Sequence, residues 1–259
     1  MTNQEKLNEL FTMLGLAEEP LGIAYVQTPP KGGTTLPEAQ RHSCIINYLR
    51  MARRKKTPVW FAPDRVGCMG GWLYLGFSQP TEQLVGRISN FVTTGFPGRE
   101  GEHYLPTPAS MLRFLDELDI QPAPAPYCVA QPLSAFAGDK RPDLVCFFVC
   151  GEALTGLGML AGFALDDHHA VQAPFGAGCS NIFAWPLHYQ RKGQRKAVIG
   201  GMDPSCRPYV GTDELTFTVT ADVLESMLEA APHSFLGSPT WNSVLKKIAK
   251  SDSLRAQKA

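Results

Sequence analysis

The chain has 259 residues, 44% of them hydrophobic and 19% charged, with 24 Lys+Arg against 24 Asp+Glu. A net charge of +0 excludes the basic excess of a nucleic-acid binder and the polybasic face of a membrane-surface protein. The length suits one large domain whose core needs no disulfide staples, so its seven cysteines need another account.

The opening MTNQEKLNELFTMLGL carries acidic residues and lacks the apolar run of a signal peptide. No stretch approaches the ~20 apolar residues of a spanning helix. A cytoplasmic location with reduced thiols is therefore expected. Leu7, Leu10, Phe11, Met13 and Leu14 at helical spacing predict a helix over 3–16. Pro20–Val26 reads as a buried strand and 28–42 as a loop. Ser43 is a candidate N-cap for a helix over Cys44–Lys56 that ends in basic residues. Pro58–Ala62 reads as a strand and 63–71 as a tight Gly-rich turn. Helices follow over 80–94 and 106–119, and Gln121–Pro126 (QPAPAP) is linker-like.

In the second half, Tyr127–Leu133 and Asp143–Cys150 read as strands and 151–165 as a helix. A short strand is expected at Val171–Pro174. Residues 176–179 (GAGC) lead into a helical stretch ending near Arg191 and Lys192. Ala197–Gly200 is a strand, Gly201–Cys206 a turn, Leu215–Thr220 a strand and 221–231 a helix. The polar tail after Lys246 is expected to fray. The pattern predicts an α/β or α+β fold, a mixed sheet flanked by helices. Residues 1–259 form a single domain of two pseudo-symmetric lobes, about 1–120 and 125–235, with a polar C-terminal tail.

The lobes echo one another. Each runs from a strand to a cysteine opening a helix, then to a basic cluster, a second strand, an aspartate (Asp64, Asp203) and a cysteine in a turn. The echo pairs Cys44 with Cys179 and Cys68 with Cys206. Cys128, Cys146 and Cys150 lie in apolar strand runs and read as small core hydrophobes.

A thiol at a helix start has its pKa lowered by the dipole and the free N–H groups. Gly- and Pro-containing turns around Cys68 and Cys206 expose N–H groups to a thiolate or a cluster sulfide. Four thiolates meet the requirement of a [4Fe–4S] cluster and also of a four-cysteine zinc site. No C-x2-C occurs, so neither a ferredoxin run nor a zinc ribbon is present, which tilts the reading from zinc towards a cluster or catalytic thiols. Ordinary buried cysteines are the competing reading.

Asp166–His169 (DDHH) has the composition of a metal patch but reads first as solvated surface. His42 is a candidate base for Cys44, although a loop histidine is the simpler reading. Trp72, Tyr104 and Arg207 are candidates to line a ligand cleft. The basic cluster Arg50–Lys56 reads as a solvated helix end, with an anion site as the alternative. Neither G-x-G-x-x-G nor a Walker motif occurs, so a nucleotide site has no support.

The stretches LGLAEEPLGIAYV, HSCIINYLRMARRKKTPVWF, GCMGGWLYLGF, GEHYLPTP, RPDLVCFFV, GAGCSNIFAWPL and GMDPSCRPYVGTDELTFTV, in that order, carry a family resemblance. Over about residues 14–223 the chain resembles the prokaryotic family called domain of unknown function 169. The resemblance implies cysteines at the positions of Cys44, Cys68, Cys179 and Cys206, and an acidic residue at Glu214. It implies no activity.

Two readings follow. In the first, Cys44, Cys68, Cys179 and Cys206 ligate one [4Fe–4S] cluster for electron transfer or for a redox step on a small molecule. The partner is then a small molecule or a redox protein. In the second, the chain is a cofactor-free binding protein for a small anionic or tetrapyrrole-like ligand, or a thiol-redox protein, with structural cysteines. Whether it is an enzyme and whether it forms a homo-oligomer are left open by the residues.

Overall fold

The computed structural model describes residues 3–16, 18–36, 43–78, 80–136 and 141–256. The first half supplies α1 (Asn3–Leu14), β1 (Leu21–Val26), β2 (Thr34–Thr35), α2 (Ile45–Lys55), β3 (Val59–Phe61), α3 (Met69–Tyr74), α4 (Glu82–Val92), α5 (Pro108–Leu118) and β4 (Tyr127–Pro132). The second supplies β5 (Leu144–Val149), α6 (Gly151–Leu165), β6 (Val171–Gln172), a π turn (Ser180–Ala184) running into α7 (Trp185–Arg191), and β7 (Ala197–Gly200). A 3-10 turn (Pro204–Tyr209), β8 (Leu215–Thr220), α8 (Ala221–Ala230) and α9 (Pro239–Ala256) complete it.

All the strands join one sheet, in the order β2-β3-β4-β1-β5-β8-β7-β6. The order reads the same from either edge. β2 pairs in parallel with β3, and β6 with β7; the other neighbours are antiparallel. β1 and β5 meet at the centre, Leu21 opposite Cys146 and Ile23 opposite Leu144. An antiparallel central pair is what a pseudo-two-fold axis through the sheet requires. On this order the strands group into two lobes, β1–β4 and β5–β8, whose strands follow the same order while the helices between them differ.

The lobe boundary differs from the one expected at 121–126. β4 bonds to both β1 and β3, so the first lobe closes only after Pro132. The 121–126 segment is packed against that lobe. Ala123 N–H donates to the Gly76 carbonyl at 2.9 Å. A Cβ on Gly76, whose φ is +73°, would stand 2.5 Å from the Gln121 carbonyl oxygen.

The central strands explain the apolar runs. β5 buries Leu144, Cys146 and Phe148 on one face and Val145, Phe147 and Val149 on the other. A strand covered on both sides needs apolar residues at every position rather than at alternate ones. The first face carries α2, α3, α4, α5 and α7; the second carries α1, α6, α8 and α9. Among the described residues, no helix is long and apolar enough to cross a membrane.

Four local expectations change. Cys44, not Ser43, is the N-cap residue of α2. Residues 69–74 form α3 rather than continuing a turn, and Cys68 is its N-cap residue. Cys128 and Cys146 are fully buried, as their apolar runs suggest, but Cys150 is exposed and begins α6 after β5 has ended. The polar tail continues as α9 because Trp241 anchors it: the ring is buried and its Nε1–H donates to the Met13 carbonyl at 2.7 Å.

Candidate functional site

Three of the four paired cysteines stand just before a helical element on the first face of the sheet, and the fourth lies within one. Cys44 precedes α2, Cys68 precedes α3, Cys179 precedes the π turn, and Cys206 lies inside the 3-10 turn. α2 packs on the 3-10 turn and α3 packs on the π turn. These contacts cross between the lobes and bring the cysteines into one neighbourhood.

The thiols act on one another. Cys68 raises the pKa of both Cys44 and Cys179, and Cys44 raises that of Cys179 and Cys206. Burial is the larger cause at each. It pushes Cys44 up, Cys179 well up and Cys206 to about 12. Against it, the N–H groups of Ile46 and Asn47 favour the Cys44 thiolate. Cys179 and Cys206 are buried; Cys44 and Cys68 are half-buried.

Asp203 ties the second-lobe pair together. One carboxylate oxygen accepts from Gly178 N–H at 3.1 Å, and the other from Ser205 N–H at 2.9 Å. The Ser205 hydroxyl donates to the same group. Gly178 lets the two elements approach closely: a Cβ there would lie 3.0 Å from Cys206 Sγ. Asp203 also raises the pKa of Cys44, Cys179 and Cys206, and of Glu102, Tyr74 and Tyr104. It is the anionic centre of the neighbourhood. Its role was legible in part, since Asp-Pro-Ser is an N-cap pattern; its reach to the Cys179 loop was not.

The ligand-lining candidates separate. Tyr104 belongs to the neighbourhood, with its pKa raised by burial and by Glu102, Asp203 and Cys206. Trp72 sits one turn after Cys68 on α3, its ring partly exposed. Arg207 serves the protein itself. Its Nη1 donates to the Gly201 and Glu214 carbonyls and its Nη2 to those of Gly211 and Thr212. This bracing holds the loop between the 3-10 turn and β8 and occupies the donors that a ligand would need.

The basic cluster is not uniformly solvated. Arg53 is buried against β5, with its guanidinium 4.3 Å from the Phe148 ring centroid. It donates to Glu214 at 2.7 and 3.0 Å and to Glu18 at 2.9 Å. This clasp joins α2 of the first lobe to the loop before β8 of the second. It gives the acidic position at Glu214 a structural reason. In the DDHH segment, Asp167 pairs with Lys196 and accepts from His169 N–H. His42 lies outside the described residues.

The four thiols match a metal centre in number and kind. Their spacing does not: among the described residues, no group of three or more His, Cys, Asp or Glu side chains is placed to hold a metal ion. Of known families, the model described as "Uncharacterised ArCR" matches residues 9–230. No curated protein and no solved structure matches the chain.

Proposed function

The chain belongs to the DUF169 family, and from that premise we propose that it is a redox protein whose Cys44, Cys68, Cys179 and Cys206 hold a [4Fe–4S] cluster. One observation supports this reading: the four thiols come from corresponding points of the two lobes, on elements that pack across the seam, and stand near enough to act on one another's ionisation. A bound cluster supplies a one-electron couple whose potential is set by burial and by hydrogen bonds to sulfur.

The chain's own groups have definite parts. The N–H groups of Ile46 and Asn47 favour Cys44 as thiolate. Asp203 fixes the Cys179 loop against the Cys206 turn. Tyr104, on the loop before α5, is a titratable group that feels Cys206, and Glu102 beside it feels Asp203. To ligate a cluster, the thiols must deprotonate and draw closer than they stand.

A second reading is favoured by the absence of a metal-holding group among the described residues and by the burial-raised thiols. It makes the protein a cofactor-free binder whose cysteines pack. Anaerobic purification followed by iron and acid-labile sulfide analysis separates the two. The cluster reading expects about four irons per chain, broad visible absorption, and loss of both in Cys179→Ser but not in Cys150→Ser. Colourless protein without iron refutes it.

A further inference from the structure

Arg50, Arg53 and Arg54 share one face of α2, at i, i+3 and i+4. They line a cavity of about 260 Å³ between α2 and the 208–214 loop, together with Glu18, Tyr209 and Glu214. The charges in this cavity are not equivalent. The Arg53 donors are taken by Glu18 and Glu214, and Glu214 also accepts from Gly211 N–H at 3.0 Å. The two carboxylates are therefore bonded along the wall, and with three arginines against two glutamates the lining keeps a net positive charge. Arg50 and Arg54 make no hydrogen bond or ion pair among the described residues, and Arg50 is half-buried.

Two guanidiniums thus face a cavity whose walls are fixed by the clasp. Their forks, with two or more N–H donors each, suit the several oxygens of a tetrahedral oxyanion better than the two of a carboxylate. The volume lies just under the usual range of about 300–1,000 Å³ for ligand pockets. It admits a phosphate group and a few further atoms. The larger hollow of about 620 Å³ by β6 and β7 is a weaker candidate, because its Lys196 is paired with Asp167 and its Arg195 with Asp222.

We infer that the cavity between α2 and the 208–214 loop binds a small molecule through a phosphate group held by Arg50 and Arg54. The site does not depend on whether the thiols hold a cluster. The test is titration of the full chain with inorganic phosphate at constant ionic strength, read by calorimetry, with acetate as the carboxylate arm. Saturable phosphate binding is expected, weakened at least about tenfold in Arg50→Gln/Arg54→Gln, as loss of charge-assisted contacts implies. The double variant should keep its urea midpoint, since neither side chain bonds to the fold. Arg195→Gln, in the other hollow, should leave phosphate affinity unchanged. Absence of saturable phosphate binding overturns the inference, as does equal affinity in the double variant. Acetate binding as tight as phosphate overturns the phosphate assignment.

Discussion

Glu214→Gln tests the clasp between the lobes. In the native chain, Arg53 is 9% exposed and Glu214 26%, so the pair is largely desolvated. Removing one partner of a buried ion pair costs about 3–5 kcal/mol, because the other charge is left uncompensated. Glu18 stays within reach of Arg53 at 2.7 Å, and glutamine keeps one acceptor oxygen. Those two facts reduce the expected loss to about 2 kcal/mol. The sign with pH follows from Glu214 itself. Its carboxyl is held below the usual 4.5, first by the hydrogen bond from Arg53. Its contribution is therefore full above about pH 4.5 and is lost as pH falls through the lower folded-state value. Urea unfolding of wild type and variant at pH 7 and at pH 3 provides the assay. The difference should be about 2 kcal/mol at pH 7, with unchanged m, and should narrow in acid. A difference under about 0.5 kcal/mol at pH 7, the size of an ordinary surface change, would refute the clasp.

Two further outcomes concern the thiols. Cys206 and Cys146 are pushed up to about 12 by burial, and Cys44, Cys128 and Cys179 are also raised, while the ordinary value is 9.0. The folded state then keeps protons that the unfolded chain releases, so metal-free protein should lose stability as pH rises above about 9, by up to about 1.4 kcal/mol per pH unit per thiol. Cys206→Ser should flatten that decline in alkaline urea unfolding; parallel curves would contradict the assignment. Gly178→Ala puts a methyl group 3.0 Å from Cys206 Sγ and 3.2 Å from its Cβ. It should cost about 1–2 kcal/mol by overpacking and speed alkylation of Cys206, and unchanged values of both would count against the tight seam.

Much of the fold could be read from local pattern. The all-apolar run of 144–149 and the alternating run of 215–220 fall on β5 and β8. The helix over 151–165 falls on α6, for period and turn residues act within a few positions. The repeat was also legible in part, because each lobe spells a strand, a cysteine opening a helix, a basic cluster, a second strand, an aspartate and a second cysteine, although the helices around them differ. The errors lie where local signals compete. Met69-Gly70-Gly71 reads as a turn, yet it becomes helix because Leu73 and Tyr74 are buried in the core. Cys150 reads as strand, yet it falls past the last ladder bond.

Composition and the order of elements by themselves indicated the class of fold and which cysteines pair between the lobes; the family came from the resemblance of particular stretches of sequence. That those cysteines fall in one neighbourhood was decided only by tertiary structure. It depends on β1 and β5 pairing at the centre, which sets the helices of the two lobes face to face. The same holds for Arg53. As one residue of a basic run it looks solvated, and its partner Glu214 lies 161 residues away. Sequence pattern carries information over a turn or two of helix, whereas a desolvated charge is satisfied by whatever the fold brings beside it.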